Sequence, residues 1–369
     1  MSVLVTGATG FIGREVVRRL LSARRPVVAL ARGRGGATAR ERVVAAIGSQ
    51  PAAADLDVVD GDLVSTDCGL AGGHWRRLRA TVETVINCAG DSCFEPTRIG
   101  PYVAAHIDGP LRLLEGLAGG RLARWAHVST AFVCGWRTGT ILERESDVGQ
   151  TFHNPYERVK LEAERAIRAA GAGCGVDIRV FRPSIVVGAA PATTGGNPSN
   201  LLFRFIRMLA ALARMPNAAA LSLRVAAAPR APFNIVPVEY VATAVVALAE
   251  CPDGADETFH LVVREAPRQA VVLQAISGRL GLRGVSLVDA RSEPLEDPSP
   301  FERAVARMLE PYRDYLAQDV RFDDVTAAGL LRRCRVERPV LSTRAVHRLV
   351  DLAIAADAGR AEPLMVGMG

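Results

Sequence analysis

Residues 5–17 read VTGATGFIGREVV. A short β-branched run, Val3–Thr6, leads into glycines at positions 7, 10 and 13, and a helical pattern occupies residues 11–22. Glycines at this spacing let the chain turn sharply after a strand and let backbone come close to a pyrophosphate. The phosphate would rest on the open N–H groups and positive dipole end of the helix. A legible strand before and helix after are the context this motif requires. Gly7, Thr9, Gly10, Phe11, Ile12 and Gly13 are therefore candidate dinucleotide contacts, and a tight turn without a ligand is the plainer alternative.

Working outward, further strands are expected at Val27–Ala31, Leu56–Val59, Thr84–Asn87, Trp125–Ser129 and Ile178–Phe181, with helical segments near 37–47, 74–80, 101–118 and 154–170. Strand and helix alternating over about 180 residues predict an α/β fold, a Rossmann-like doubly wound parallel sheet. After it come a Gly/Pro-rich loop at 188–198, a helical run at 200–214 and, beyond Val262, a mostly helical tail ending near 357. The expected organisation is a nucleotide-binding domain at 1–187, to which 231–262 returns. Residues 188–230 and 263–369 would form a smaller, mostly helical substrate-binding or lid region.

The 369 residues are 49% hydrophobic and 23% charged, enough for a large core. No apolar run approaches the roughly 18 residues of a membrane span, and no signal sequence is legible, so a cytoplasmic location without a membrane span is expected. Seven scattered cysteines with no C-x-x-C spacing predict buried thiols and no metal site. The net charge of +6 comes from arginines interleaved with acids, and aromatics make up only 5%, which argues against a nucleic-acid partner.

At the end of the second strand stand Arg32 and Arg34 and no acid. An acid there would accept from a ribose 2′-hydroxyl, whereas arginine pairs with a 2′-phosphate, so NADP (NADPH) is expected in preference to NAD. A solvent-facing arginine is the plain alternative. Asp62 and Leu63 follow the third strand, Asp62 suiting the adenine amino group. Ala89 and Gly90 follow the fourth, where backbone could pass beside the adenosine.

Lys160 is the only lysine among 45 basic residues. It lies four residues after Tyr156 in NPYERVKLEAER (154–165), one helical turn away on the same face. A free phenol, with a pKa of about 10, is a poor acid at neutral pH. A neighbouring ammonium stabilises the phenolate and fits the tyrosine for proton transfer with a carbonyl oxygen. Ser129 and Thr130, in HVSTAFVCG (127–135), supply hydroxyls at a strand's carboxyl end, where such sheets bind ligands.

These segments resemble the extended short-chain dehydrogenase/reductases: TGATGFIG, the strand-end Ser/Thr pair, YxxxK, RPSIVVG (182–188) and NIVPVEYVA (234–242). HVSTAFVCG, NPYERVKLEAER and PYRDYLAQDVRFDD (311–324) look most like the acyl-thioester and fatty acyl-CoA reductase branch, often called male-sterility-type. The resemblance implies a catalytic set of Thr130, Tyr156 and Lys160, with Lys160 also holding ribose, and it places Pro183 and Ser184 beside the nicotinamide carboxamide. It implies hydride delivery from NADPH to an acyl thioester or a derived aldehyde or ketone, in secondary or lipid metabolism. The substrate would be a small-molecule or a carrier- or CoA-bound acyl group, and a homodimer stays open. An extended-family sugar-nucleotide epimerase or dehydratase, a hydroxysteroid-type dehydrogenase and a non-catalytic NADP-sensing protein are the alternatives. Two positions depart from the family pattern: His106 stands where members often carry asparagine, and Cys134 where sugar-nucleotide members often carry tyrosine.

Overall fold

The computed structural model describes residues 2–49, 51, 55–90, 99–188, 201–289 and 295–358. Beyond Gly188, the loop expected at 188–198 lies outside these residues, as does Cys93. In chain order the elements begin β1 (Ser2–Thr6), α1 (Phe11–Ser22), β2 (Val27–Ala31), α2 (Ala39–Ile47), β3 (Leu56–Asp60), α3 (Gly72–Thr81) and β4 (Val82–Asn87). They continue with α4 (Ile99–Val103), α5 (Gly109–Leu117), β5 (Arg124–Val128), β6 (Gly139–Ile141), α6 (Pro155–Cys174), β7 (Asp177–Pro183), β8 (Ile185–Val187), α7 (Leu201–Ala213), β9 (Ser222–Ala227), β10 (Ile235–Pro237), α8 (Val238–Glu250) and β11 (Thr258–Leu261). The last are α9 (Gln269–Arg279), β12 (Gly284–Asp289), α10 (Pro300–Leu309), α11 (Arg313–Ala317), β13 (Val320–Phe322), α12 (Val325–Arg333) and α13 (Thr343–Ala358).

Two compact units result. The first comprises Met1–Val187, Asn234–Arg264 and Val320–Pro339. Its seven-stranded sheet runs β11-β7-β5-β4-β1-β2-β3 with every pairing parallel. Such strands are covered on both faces, and β2, VVALA, is buried along its whole length. The order reverses between β1 and β4, which makes their carboxyl ends the switch point where open α/β sheets hold ligands. The second unit, Gly188–Phe233, Glu265–Asp319 and Val340–Gly369, holds α7, α9, α10, α11 and α13. It is less purely helical than expected, since β9 and β12 pair in parallel from Ser222/Gly284 to Ala227/Asp289.

Helix limits follow local chemistry. Thr38 and Glu41 form a capping box for α2, and Asn154 accepts from Glu157 N at 3.1 Å ahead of Pro155 to start α6. The helix expected over 101–118 is interrupted. A π-helical turn, Ala104–Asp108, separates α4 from α5, with Gly109 N bonded to Ala104 O. Pro110 explains it: proline has no N–H for the carbonyl four residues back, that of His106, and its ring crowds that carbonyl.

Residues 320–339 were expected in the second unit, yet they belong to the first. Val320–Phe322 pairs in parallel with Gly139–Ile141, and the buried Glu143 carboxylate accepts from the backbone N–H groups of His260 (2.9 Å), Thr326 (2.6 Å) and Ala327 (3.1 Å). One side chain thus ties the amino end of α12 to β11. Burial pushes the Glu143 carboxyl up to about 7 despite these three donors.

Glu143→Ala should strand three buried N–H groups and lower stability by about 3 kcal/mol, read from chemical unfolding. Glu143→Gln tests the charge. Between the usual 4.5 and about 7 the folded protein retains a proton that the unfolded chain has released, so wild-type stability falls as pH rises through that window. The glutamine variant should lose that part of the slope.

Candidate active site

Two glycines of the first turn are dictated by space. Gly7 has φ +67°, and a Cβ there would lie 2.7 Å from the backbone of Cys88 and Ala89 at the end of β4. A Cβ on Gly13 would come within 2.2 Å of Gly7 O. Gly10 is looser, with its nearest contact at 3.1 Å. Helix α1 starts at Phe11 with no side-chain cap on its amino end. Gly10 N–H is donated to Gly7 O at 2.8 Å, so the uncapped first turn of α1 beginning at Phe11 is the part of this motif where a dinucleotide phosphate would rest.

The other expected contacts also sit at carboxyl ends of strands. Arg32 follows β2, and its guanidinium pairs with Asp62 after β3 (2.7 Å), so two residues expected to contact different parts of an adenosine contact each other. The Arg32 side chain is about half exposed, and such pairs contribute little, so a bound phosphate could displace the carboxylate. The Arg34 backbone bridges to Ala37 across the tight turn Gly35–Gly36. Asp60, which the sequence did not single out, accepts from Gly33 N at 3.3 Å and places an acid beside the end of β2. Leu63 is buried against Gly109, and its carbonyl accepts from Arg112 (2.9 Å). Pro183 ends β7, and the buried Ser184 donates its N–H to Leu261 O at 3.3 Å.

The catalytic candidates converge between α6 and the end of β5. Lys160 is buried, and its Nζ donates to Val128 O at 2.7 Å, two residues before Thr130. Thr130 Oγ1 accepts from Phe132 N at 3.3 Å as it caps the turn Ala131–Cys134. Accepting there leaves the hydroxyl proton for another acceptor, so capping and catalysis are compatible. Tyr156 is half-buried one turn before Lys160. Its ring meets His106 edge-on at 5.6 Å between centroids and Tyr102 at 6.2 Å. His106 is buried, and a Cβ on Gly90 would lie 2.2 Å from its ring, so Gly90 makes room for the imidazole.

Burial lowers the Lys160 ammonium to about 8, with Glu164 and the Cys88 sulfur opposing the shift. The lysine is therefore poised between its charged and neutral forms close to neutral pH. Cys134 is a different case: burial pushes its thiol up to about 12, so it packs rather than attacks. Behind Lys160 lies a polar chain that sequence reasoning missed, Thr6, Asn87 and His127, all buried. Its signal was a polar residue in one of the last two positions of each of three neighbouring strands, β1, β4 and β5.

The family model described as Male sterility protein matches residues 5–245. Peramine synthetase A of Epichloe festucae is 32% identical over 218 residues, which cover 55% of this chain and 8% of that protein. A carboxylic acid reductase of Mycobacterium marinum is 26% identical over 289 residues, covering 71% of this chain and 24% of that protein. The chain thus spans a quarter or less of these relatives. Among solved structures, the terminal R domain from the myxalamid PKS-NRPS pathway has a TM-score of 0.78 at 20% identity, covering 98% of this chain and 92% of that one. A thiolation-reductase di-domain from an archaeal non-ribosomal peptide synthetase gives 0.73 at 17%, covering 97% and 76%. UDP-glucuronic acid 4-epimerase from Bacillus cereus with NAD gives 0.70 at 18%, covering 96% and 99%. At these identities the structural likeness establishes the fold and does not separate reductase from epimerase.

Lys160→Met removes the cost of a buried ammonium, about 3 kcal/mol from its lowering to about 8. The variant should unfold no more easily than wild type at neutral pH. Because the unfolded lysine keeps its proton up to about 10.5, wild type should gain stability relative to the variant as pH rises from about 8. Urea unfolding across that range is the check.

Proposed function

The chain belongs to the male sterility protein family and is an oxidoreductase of the extended short-chain dehydrogenase/reductase type, and on that premise we propose that it is an NADPH-dependent reductase of acyl thioesters. The observation that carries the reading is the Lys160–Val128 bond, which fixes the Tyr156 turn of α6 beside the Thr130 end of β5. The nicotinamide, when bound, supplies the hydride to the carbonyl carbon.

On this reading Tyr156 donates its phenolic proton to the carbonyl oxygen as negative charge develops there. The Thr130 hydroxyl donates a hydrogen bond to the same oxygen. Lys160 holds the ribose and, as an ammonium, eases proton loss from Tyr156. The reduced adduct then loses its thiol to leave an aldehyde. Pro183 and Ser184 line the carboxamide end, Gly7 to Gly13 take the pyrophosphate, and Asp62, Leu63 and Ala89 border the adenosine. Arg32 and Arg34 read the 2′-phosphate. The thioester is expected on a carrier protein or coenzyme A, in keeping with relatives named as synthetase and carboxylic acid reductase, and the work would be done in the cytoplasm.

Mixed with NADPH and a panel of acyl-CoA and carrier-bound thioesters, the purified protein should oxidise the nicotinamide. Tyr156→Phe should cut kcat by at least about 100-fold with little change in KM for NADPH. If NADPH is untouched by every thioester and aldehyde while a nucleotide sugar is epimerised, the reductase reading is wrong.

The cofactor preference has its own test. Arg32→Ala combined with Arg34→Ala should weaken NADPH binding by about 1.5–3 kcal/mol and leave NADH binding within about twofold, by calorimetric titration. Equal losses for both would show that neither arginine reads the 2′-phosphate.

A further inference from the structure

Neither the family match nor the proposed mechanism gives a task to the polar chain behind Lys160. Its hydrogen bonds can be directed starting from a group that can only donate. Ala89 N–H donates to Thr6 Oγ1 at 3.2 Å. The Thr6 hydroxyl spends its own proton on Asn87 Oδ1, 2.5 Å away. That contact fixes the carboxamide, so its NH2 faces His127 Nδ1 at 3.1 Å. An amide NH2 only donates, so Nδ1 is the acceptor and the neutral ring carries its proton on Nε2. The alternative carboxamide orientation would strand a buried hydroxyl proton.

His127 is 1% exposed, and its Nε2 has no hydrogen-bond partner among the described residues. Trp125, two residues earlier on β5 and so on the same face, packs in the core with Leu113, Leu114 and Leu117 of α5 and Ile167 of α6. His127 therefore projects into the layer between the sheet and these helices. The charged and titratable groups that act on it there are Lys160 and Arg168 from α6 and His106 from the π-turn, with Cys88 beside Lys160. Burial, and then the Lys160 charge, hold the imidazolium form of His127 well below its ordinary range.

We propose that His127 is a positioning residue for the hydride-transfer reaction: Thr6 and Asn87 lock it as a neutral Nε2–H imidazole, which keeps a second positive charge from forming beside Lys160. Its part in catalysis rests on the reductase reading, while the lock itself does not. A charged ring there would compete with Lys160 for the ammonium that Tyr156 needs. The lock also excludes His127 as a proton relay, because Nδ1 faces a donor that cannot supply a transferable proton.

Long-range 1H–15N spectra of the unsubstituted protein read the tautomer without any variant. They should show His127 protonated on Nε2 and not titrating between about pH 5 and about pH 9. Asn87→Asp exchanges the donor for an acceptor. Nδ1 should then be protonated, and the ring should titrate as an imidazolium in the same spectra. The same substitution should lower kcat by about tenfold or more, displace the limbs of its pH profile, and leave KM for NADPH within about threefold. Thr6→Val, which removes the hydroxyl that orients the amide, should give a mixture of the two tautomers.

A wild-type His127 protonated on Nδ1, or titrating in that range, overturns the lock whatever the protein turns over. An Asn87→Asp protein with a titrating ring and a wild-type kcat and pH profile overturns the positioning role alone. Absence of turnover with every thioester and aldehyde, with His127 protonated on Nε2, refutes the reductase reading and the positioning role together while the lock stands.

Discussion

One hydrogen bond, from the Lys160 ammonium to Val128 O, joins the two halves of the candidate site. Helix α6 alone could present Tyr156 and Lys160 on one face, and strand β5 alone could present Ser129 and Thr130 at its end. Only a contact between them fixes the distance at which a substrate oxygen meets both a phenol and a hydroxyl. The cost is a buried cation, and the surroundings limit it: Glu164 and the Cys88 sulfur favour the charge, and His127 stays neutral. Electrostatics and geometry are coupled here, since the bond that places the lysine also buries it and brings its pKa toward neutrality.

The dinucleotide turn depends on a different constraint, the volume of a single carbon. Gly7 and Gly13 cannot carry a Cβ because the end of β4 and the turn's own carbonyl occupy that space. The packing that forbids side chains also exposes the start of α1. Both features lie at the β1–β4 reversal, so sheet topology, local sterics and an anion-binding helix end coincide at one place.

Most of the sheet was legible because parallel, doubly covered strands advertise themselves as short apolar runs between helical patterns, as Val27–Ala31 does. The turn glycines and the Tyr156–Lys160 pair were legible because their chemistry restricts residue type at fixed spacing. Three features were not. The break in the 101–118 helix depends on how Pro110 is accommodated, and a π-turn is one of several answers to a missing N–H. The return of 320–339 to the first unit rests on a three-residue strand and on Glu143 capping a helix 183 positions away, contacts no local pattern encodes. The role of His127 depends on the direction of hydrogen bonds across three strands, whereas the sequence shows only polar residues at three strand ends.

The arginine-rich composition bears on why position 160 is the exception. Elsewhere the guanidinium's several donors serve as clamps. Arg168 reaches the carbonyls of Ile178, Asp256 and Glu257 and the Thr258 hydroxyl, and Arg179 reaches those of Leu248 and Cys251. Arg182 spans Glu164 and the Glu145 carbonyl. At 160 the side chain is buried, and its hydrogen bond goes to one carbonyl, that of Val128. A planar group with five donors would leave several of them buried and unpaired, and it would hold its proton at every accessible pH. A compact ammonium with one carbonyl partner satisfies this site where a planar five-donor fork does not, and that difference of shape accounts for a lysine at one position in a chain that otherwise uses arginine.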